Sequence, residues 1–88
     1  MIRIWARTMV DTKITRSFIY ESIDNFSEDK LRNHIEKICQ EIDIPTPMIL
    51  KSHITSYVDF NNCIFTKTDF VESIDFEKLI LENATLQD

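Results

Sequence analysis

The stretch Phe26 to Ile42, FSEDKLRNHIEKICQEI, decides the fold. Leu31, Ile35, Ile38 and Ile42 recur at i, i+4, i+7 and i+11, with Cys39 beside them. This spacing predicts one amphipathic helix whose apolar stripe must be buried. Arg32, Asn33, Glu36, Lys37 and Gln40 fall on its wet side. Ser27 suits the N-cap, because its hydroxyl can accept from a free N–H of the first turn. Glu28 and Asp29 then put negative charge at the positive end of the helix dipole. Phe26 and Leu31 have the spacing of a hydrophobic staple.

A stripe of this kind needs a surface to cover, and the flanking sequence supplies strands. From Met1 to Met9, β-branched and aromatic residues alternate with polar ones. Ile2, Ile4, Ala6 and Thr8 share one face of the strand, and Arg3, Trp5 and Arg7 share the other. Val10 to Lys13 is a polar break, and Ile14 to Glu21 is a second strand, so the two predict a hairpin. The Asn-Gly signal of a tight primed turn is missing, which favours a longer loop. A two-residue loop at Asp11 and Thr12 would set Arg7 opposite Arg16, an unfavourable pairing. A slip of one groups Ile2, Ile4 and Ala6 with Phe18 and Tyr20 and is the register expected here.

After the helix, Pro45 and Pro47 forbid its continuation. Pro47 to Leu50 reads as extended, a short edge strand. Leu50, Ile54, Tyr57 and Val58 suggest a second helix over 52–61 with Ser52 as cap, and its β-branched content keeps a strand as the alternative. Asn61 and Asn62 mark a turn, and Cys63 to Phe65 is extended. Thr66 to Glu72 fits one helical turn, capped by Thr66 with Asp69. Phe76 to Glu82 reads as a last strand, with Leu79 and Leu81 on one side and Phe76, Lys78, Ile80 and Glu82 on the other. Residues 83–88 are expected to fray. The chain is thus expected to be one α+β domain over residues 1–88. Its small, mainly antiparallel sheet comprises the N-terminal hairpin and the C-terminal strand, which pairs beside the first. Two helices pack on one face.

Composition limits the function. The 88 residues suffice for one modest core. Apolar residues make up 43% and charged residues 28%, too apolar a balance for a disordered chain. The net charge of −5 argues against direct nucleic-acid binding and against adhesion to anionic lipid. Apolar runs are too short to span a membrane. Arg3 and Arg7 interrupt the first residues, which predicts no export leader. A cytoplasmic location follows, with Cys39 and Cys63 as reduced thiols.

The opening IRIWAR, with Asp69-Phe70-Val71-Glu72, Asp75-Phe76 and Leu79 near the end, is similar to small uncharacterised proteins of low-GC Gram-positive bacteria over most of the chain. The resemblance implies a bacterial cytoplasmic setting and no catalytic residue.

No motif with catalytic mechanics is present. The chain has no glycine, which excludes a P-loop, a dinucleotide fingerprint and a Gly-x-Ser-x-Gly elbow. His34, His53, Cys39 and Cys63 are its soft metal ligands, and none forms a Cys-x-x-Cys or His-x-x-x-His pair. His34 and Cys39 lie about 140° apart round a helix and cannot share an ion on it. No metal and no cofactor is expected. Cys63, with Asn62, Lys67 and His53 as possible neighbours, is a candidate nucleophile beside the blander reading of a core filler. Asp59-Phe60, Asp69-Phe70 and Asp75-Phe76 read as phenylalanine anchors with wet carboxylates.

Charge is uneven along the chain. Up to Tyr20, Arg3, Arg7, Lys13 and Arg16 stand against Asp11, a balance of +3, and the remainder carries −8. Arg3, Trp5 and Arg7 form a basic-aromatic patch and are the candidate partner-binding residues. The bland reading is a tryptophan half covered by arginine stems. A protein contact comes next, since Trp and Arg are enriched at such sites. Base stacking comes last, against the net charge. The expected function is a non-enzymatic protein–protein interaction or regulatory module that binds a protein partner or a second copy of itself. The alternative is an acidic decoy that mimics nucleic acid toward a DNA- or RNA-binding protein.

Overall fold

The computed structural model describes residues 1–85. Strand β1 (Ile2–Val10) and strand β2 (Lys13–Ser22) form the hairpin. Helix α1 (Glu28–Glu41) follows, then helix α2 (Lys51–Phe60). Strand β3 (Asn62–Thr66), a 3-10 turn at Lys67–Asp69 and strand β4 (Lys78–Asn83) complete the order. The four strands make an antiparallel sheet ordered β2-β1-β4-β3. This is the expected α+β architecture with β4 beside β1, and β3 extends the sheet by one strand beyond the hairpin and last strand.

The alternation in β1 sets the inner face. Ile2, Ile4, Ala6 and Thr8 are buried, and they meet Leu79 and Leu81 of β4 and Cys63 and Phe65 of β3. Leu31, Ile35, Ile38 and Cys39 of α1 and Tyr57 of α2 close the core over them. A fully buried aliphatic side chain is worth about 1.5–3 kcal/mol relative to exposure, so this set supplies the main drive for folding. Ile42 is only half-buried, at the cap beyond α1.

The hairpin combines two features that seemed exclusive in sequence. Its loop is only Asp11 and Thr12, and Asp11 takes φ 55°. The longer loop expected from the missing Asn-Gly is not used. Even so, Arg7 faces Ser17 and not Arg16, because the register shifts between Thr8 and Met9. Thr15 is the extra residue of this bulge, lying between Ile14, opposite Met9, and Arg16, opposite Thr8. Ala6 thus meets Phe18 and Ile4 meets Tyr20, the expected grouping.

Without glycine, three acid or amide residues take the left-handed positions: Asp11 (φ 55°), Asp43 (φ 55°) and Asn61 (φ 63°). Asp and Asn tolerate this region better than other side chains. At the end of α1, Asp43 N–H donates to Gln40 and Ile44 N–H to Cys39, which is the Schellman arrangement with aspartate in the usual glycine place.

Several local expectations are corrected. Ser27 is the N-cap of α1, but its hydroxyl makes no cap bond; its carbonyl accepts from Lys30 and Leu31. Phe26 makes a contact the sequence did not indicate, stacking on Tyr57 with ring centres 6.1 Å apart. Pro47 to Leu50 is not a strand, and there Met48 N–H bonds to the Asp69 carbonyl. Residues 51–60 are helical, and Leu50, not Ser52, is the cap residue. Phe76 is buried against Phe70, because it precedes β4 and escapes the strand alternation. At the end, Asn83 belongs to β4 and Ala84 N–H donates to Arg3 at 2.8 Å. The rest of the segment expected to fray, residues 86–88, lies outside the described residues.

Candidate functional site

Both helices cover the inner face, and among the described residues no helix packs on the outer face of the sheet. Register fixes what stands on it. Trp5 of β1 lies between Ile19 of β2 and Glu82 of β4, and Asn62 of β3 ends that row. Ser17, Arg7, Ile80 and Ile64 make the next row, and Arg3 pairs beside Glu21. Arg3, Trp5 and Arg7 are therefore together, at the middle of this face.

Each charge of the patch has a partner within it, although Arg3 Nε and Arg7 Nη1 are buried with no hydrogen-bond partner among the described residues. The Arg7 guanidinium carbon sits 3.9 Å from the Trp5 ring centre, a cation–π stack. Trp5 Nε1 donates to Ser17 Oγ at 2.9 Å. Arg3 pairs with Glu21 at 3.0 Å and Arg7 with Glu82 at 3.6 Å. Trp5 is half-buried by these neighbours, while Ile19 at 48% and Ile64 at 45% exposure stand open around it. The face thus offers an aromatic centre and isolated aliphatic side chains inside a rim of neutralised charges.

The other candidates occupy different places. Cys39 and Cys63 are free thiols in the core, and burial pushes both up to about 12. Neither is a thiolate near neutral pH, so Cys63 has no nucleophilic form to offer. His53 is used structurally. Its Nδ1 accepts from Leu50 N–H at 3.0 Å, its ring packs on Phe65, and Nε2 lies 3.4 Å from Asp69 Oδ2. Asp69 also accepts from Thr66 N–H at 2.8 Å, so this pair ties α2 to the 3-10 turn.

His34, which belongs neither to the stripe nor to the wet side of α1 in sequence, is buried. The Tyr20 hydroxyl lies 2.7 Å from its Nδ1, and Asp24 Oδ2 lies 3.8 Å from its Nε2, which has no hydrogen-bond partner. Burial pushes His34 below the usual imidazole range, against the pull of Asp24. Burial likewise raises Tyr20. The missed signal was Tyr20, a polar-tipped residue on the inner face of β2 that needs a partner for its hydroxyl.

Two clefts remain. One, of about 260 Å³, is lined by Phe26, Tyr57, Val58, Asn61 and Asn83. The other, of about 410 Å³, lies around Arg16, Asp43, Pro45, Ser73 and Asp75, where Arg16 holds Asp75 through two bonds of 3.0 and 3.3 Å. That pairing holds the Asp75 carboxyl below its ordinary range. Neither cleft is lined by a histidine or cysteine. Among the described residues, no three His, Cys, Asp or Glu converge as metal ligands, and no helix is long and apolar enough to cross a membrane.

No family model, curated protein or solved structure matches the chain.

Proposed function

We propose that the protein is a non-enzymatic protein–protein interaction module whose contact surface is the outer sheet face centred on Trp5. One observation carries this reading: a bare sheet face presents Trp5, Ile19 and Ile64 while its two arginines are already paired with Glu21 and Glu82. A phosphate backbone is bound by cations free to replace counterions. Here the cations are balanced in place, which favours a protein partner with an apolar centre. The decoy reading has less support. Glu21, Glu82, Asp75 and Asp69 are each engaged within the chain, and acids on the wet side of α1 alternate with Lys30, Arg32 and Lys37. The two buried free thiols fit a reducing cytoplasm, and the bacterial setting rests on the likeness of IRIWAR and the acidic-aromatic tail.

The experiment is a native pull-down with wild-type and Trp5→Ala baits of equal fold, checked by circular dichroism. The expected result is a partner held by the wild type and weakened roughly thirtyfold by the variant, the effect of losing about 2 kcal/mol at an aromatic anchor. A partner held equally by both baits would move the contact surface elsewhere.

A further inference from the structure

The two edges of the sheet are unequal. In an antiparallel strand the N–H and C=O of successive residues point to alternate neighbours. The carbonyls of Arg3 and Met9 accept from Ala84 and Glu77, both at 2.8 Å, so the odd-numbered residues of β1 face β4. Ile4, Ala6 and Thr8 then bond to β2, where their partners are Tyr20, Phe18 and Arg16. This leaves Ser17, Ile19 and Glu21 with backbone N–H and C=O turned to solvent, and all three residues are exposed.

The opposite edge is blocked. On β3, Cys63 and Phe65 bond to β4, and Asn62, Ile64 and Thr66 point outward. The Asn62 carbonyl accepts from Ser56 Oγ at 2.8 Å, and Thr66 N–H donates to Asp69 at 2.8 Å. One outward group on each side of Ile64 is thus taken. Proteins commonly shield edge strands in this way, because an open edge templates pairing. On β2 no such shield is present among the described residues. The strand is ten residues long, with no proline, and the bulge at Thr15 limits its regular part to the half beginning at Arg16.

We propose that the β2 edge pairs with the β2 edge of a second copy, antiparallel, about a two-fold axis at Ile19. The inference goes beyond the outer-face reading: the pairing runs through the backbone of β2 and leaves Trp5 outside the seam. The edge is self-complementary in this arrangement. Ile19 meets Ile19 of the second copy, and Ser17 meets Glu21. Phe18 and Tyr20, on the core side, form cross-strand aromatic pairs. Charge gives a smaller push in the same direction, because Arg16 is held by Asp75 and Glu21 by Arg3: Lys13 at one end and Asp24 beyond the other are brought together by antiparallel copies and kept apart by parallel ones. The contact is isologous and closes on itself as a dimer. On the outer face the row through Trp5 and Ile19 then runs unbroken across the seam into the second copy.

Sedimentation equilibrium from micromolar to near-millimolar protein tests this. The wild type should approach twice the chain mass. Ile19→Pro removes only the outward-facing N–H, so the β1 ladder survives while two bonds at the axis are lost. Dimerisation should weaken roughly thirtyfold. Ile19→Lys, which keeps the N–H but adds a charge at the axis, should weaken it as well, and guards against a folding defect in the proline variant. Amide exchange needs no variant: Ser17, Ile19 and Glu21 should gain protection as concentration rises, and Ile64 should not. A wild type that stays monomeric overturns the proposal, as does protection of these amides only by a different protein. A dimer lost in Trp5→Ala but intact in both Ile19 variants also overturns it, while leaving the outer face as the contact surface.

Discussion

The hydroxyls of Thr8 and Thr15 lie 2.7 Å apart, and Thr15 Oγ1 also donates to the Thr8 carbonyl at 3.3 Å. Thr8 is fully buried and Thr15 is the bulge residue, so this pair holds the extra residue where the hairpin changes register. A two-residue loop alone would oppose Arg7 and Arg16 and turn Phe18 and Tyr20 outward. The bulge keeps the short loop and still faces both aromatics inward.

Deleting Thr15 should therefore be tolerated, since Arg16 stays opposite Thr8 without it. The cost should be about 1–3 kcal/mol, from the partner lost to the buried Thr8 hydroxyl. Inserting an alanine after Ser17 has no such relief and would turn Phe18 and Tyr20 to solvent. Thermal melts followed by circular dichroism should show a cooperative transition for the deletion and none for the insertion. Equal melting of the two would refute the role of the bulge.

Ile35 has no exposed surface and sits on the α1 stripe. Ile35→Asp should unfold the domain, because an unpaired buried charge costs several kcal/mol and a small domain holds only about 5–15 in all. Urea titration checks this, and a midpoint near that of the wild type would contradict the packing.

Stability is expected to fall in mild acid through His34. Burial lowers its folded-state pKa below the unfolded value of about 6.5. The unfolded chain then binds the extra proton, so this contribution is complete above about pH 6.5 and is lost as pH falls toward the folded pKa. Nearby Asp24 opposes the shift, while Lys30 and Lys37 add to it. His34→Gln keeps an acceptor for the Tyr20 hydroxyl and removes the titration. Its stability should be flatter just below pH 6.5 than that of the wild type in urea titrations at stepped pH. Parallel curves would mean that His34 does not carry the dependence.

Cys39 and Cys63, both pushed up to about 12, should resist a thiol reagent at pH 8. Both should react at once in guanidinium, giving the full count of two per chain. Rapid labelling of the native protein at either position would show an opening of the core that the fold does not contain.

What was local was legible in sequence. The stripe of α1 and the alternation of β1 identified their buried faces, because periods of 3.6 and 2 act within single elements. The last strand pairs beside the first as expected, with Ala6 opposite Leu81. The patch at Arg3, Trp5 and Arg7 was also placed correctly on the outer face, though not its pairing with Glu21, Glu82 and Ser17.

Tertiary structure alone decided the bulge, the burial of His34 beside Tyr20, the inward turn of Phe76 and the difference between the two edges. Each depends on groups far apart in the chain. Thr15 leaves the ladder only because doing so buries Phe18 and Tyr20 against a core contributed by other elements. His34 sits inside, where its Nδ1 meets the hydroxyl of Tyr20 on β2. The β3 edge is capped by Ser56 and Asp69, which neighbour it only after folding, and among the described residues nothing comparable folds over Ser17, Ile19 and Glu21. Periodicity says which face of a strand is buried; only the assembled neighbours say which of its hydrogen bonds are left open.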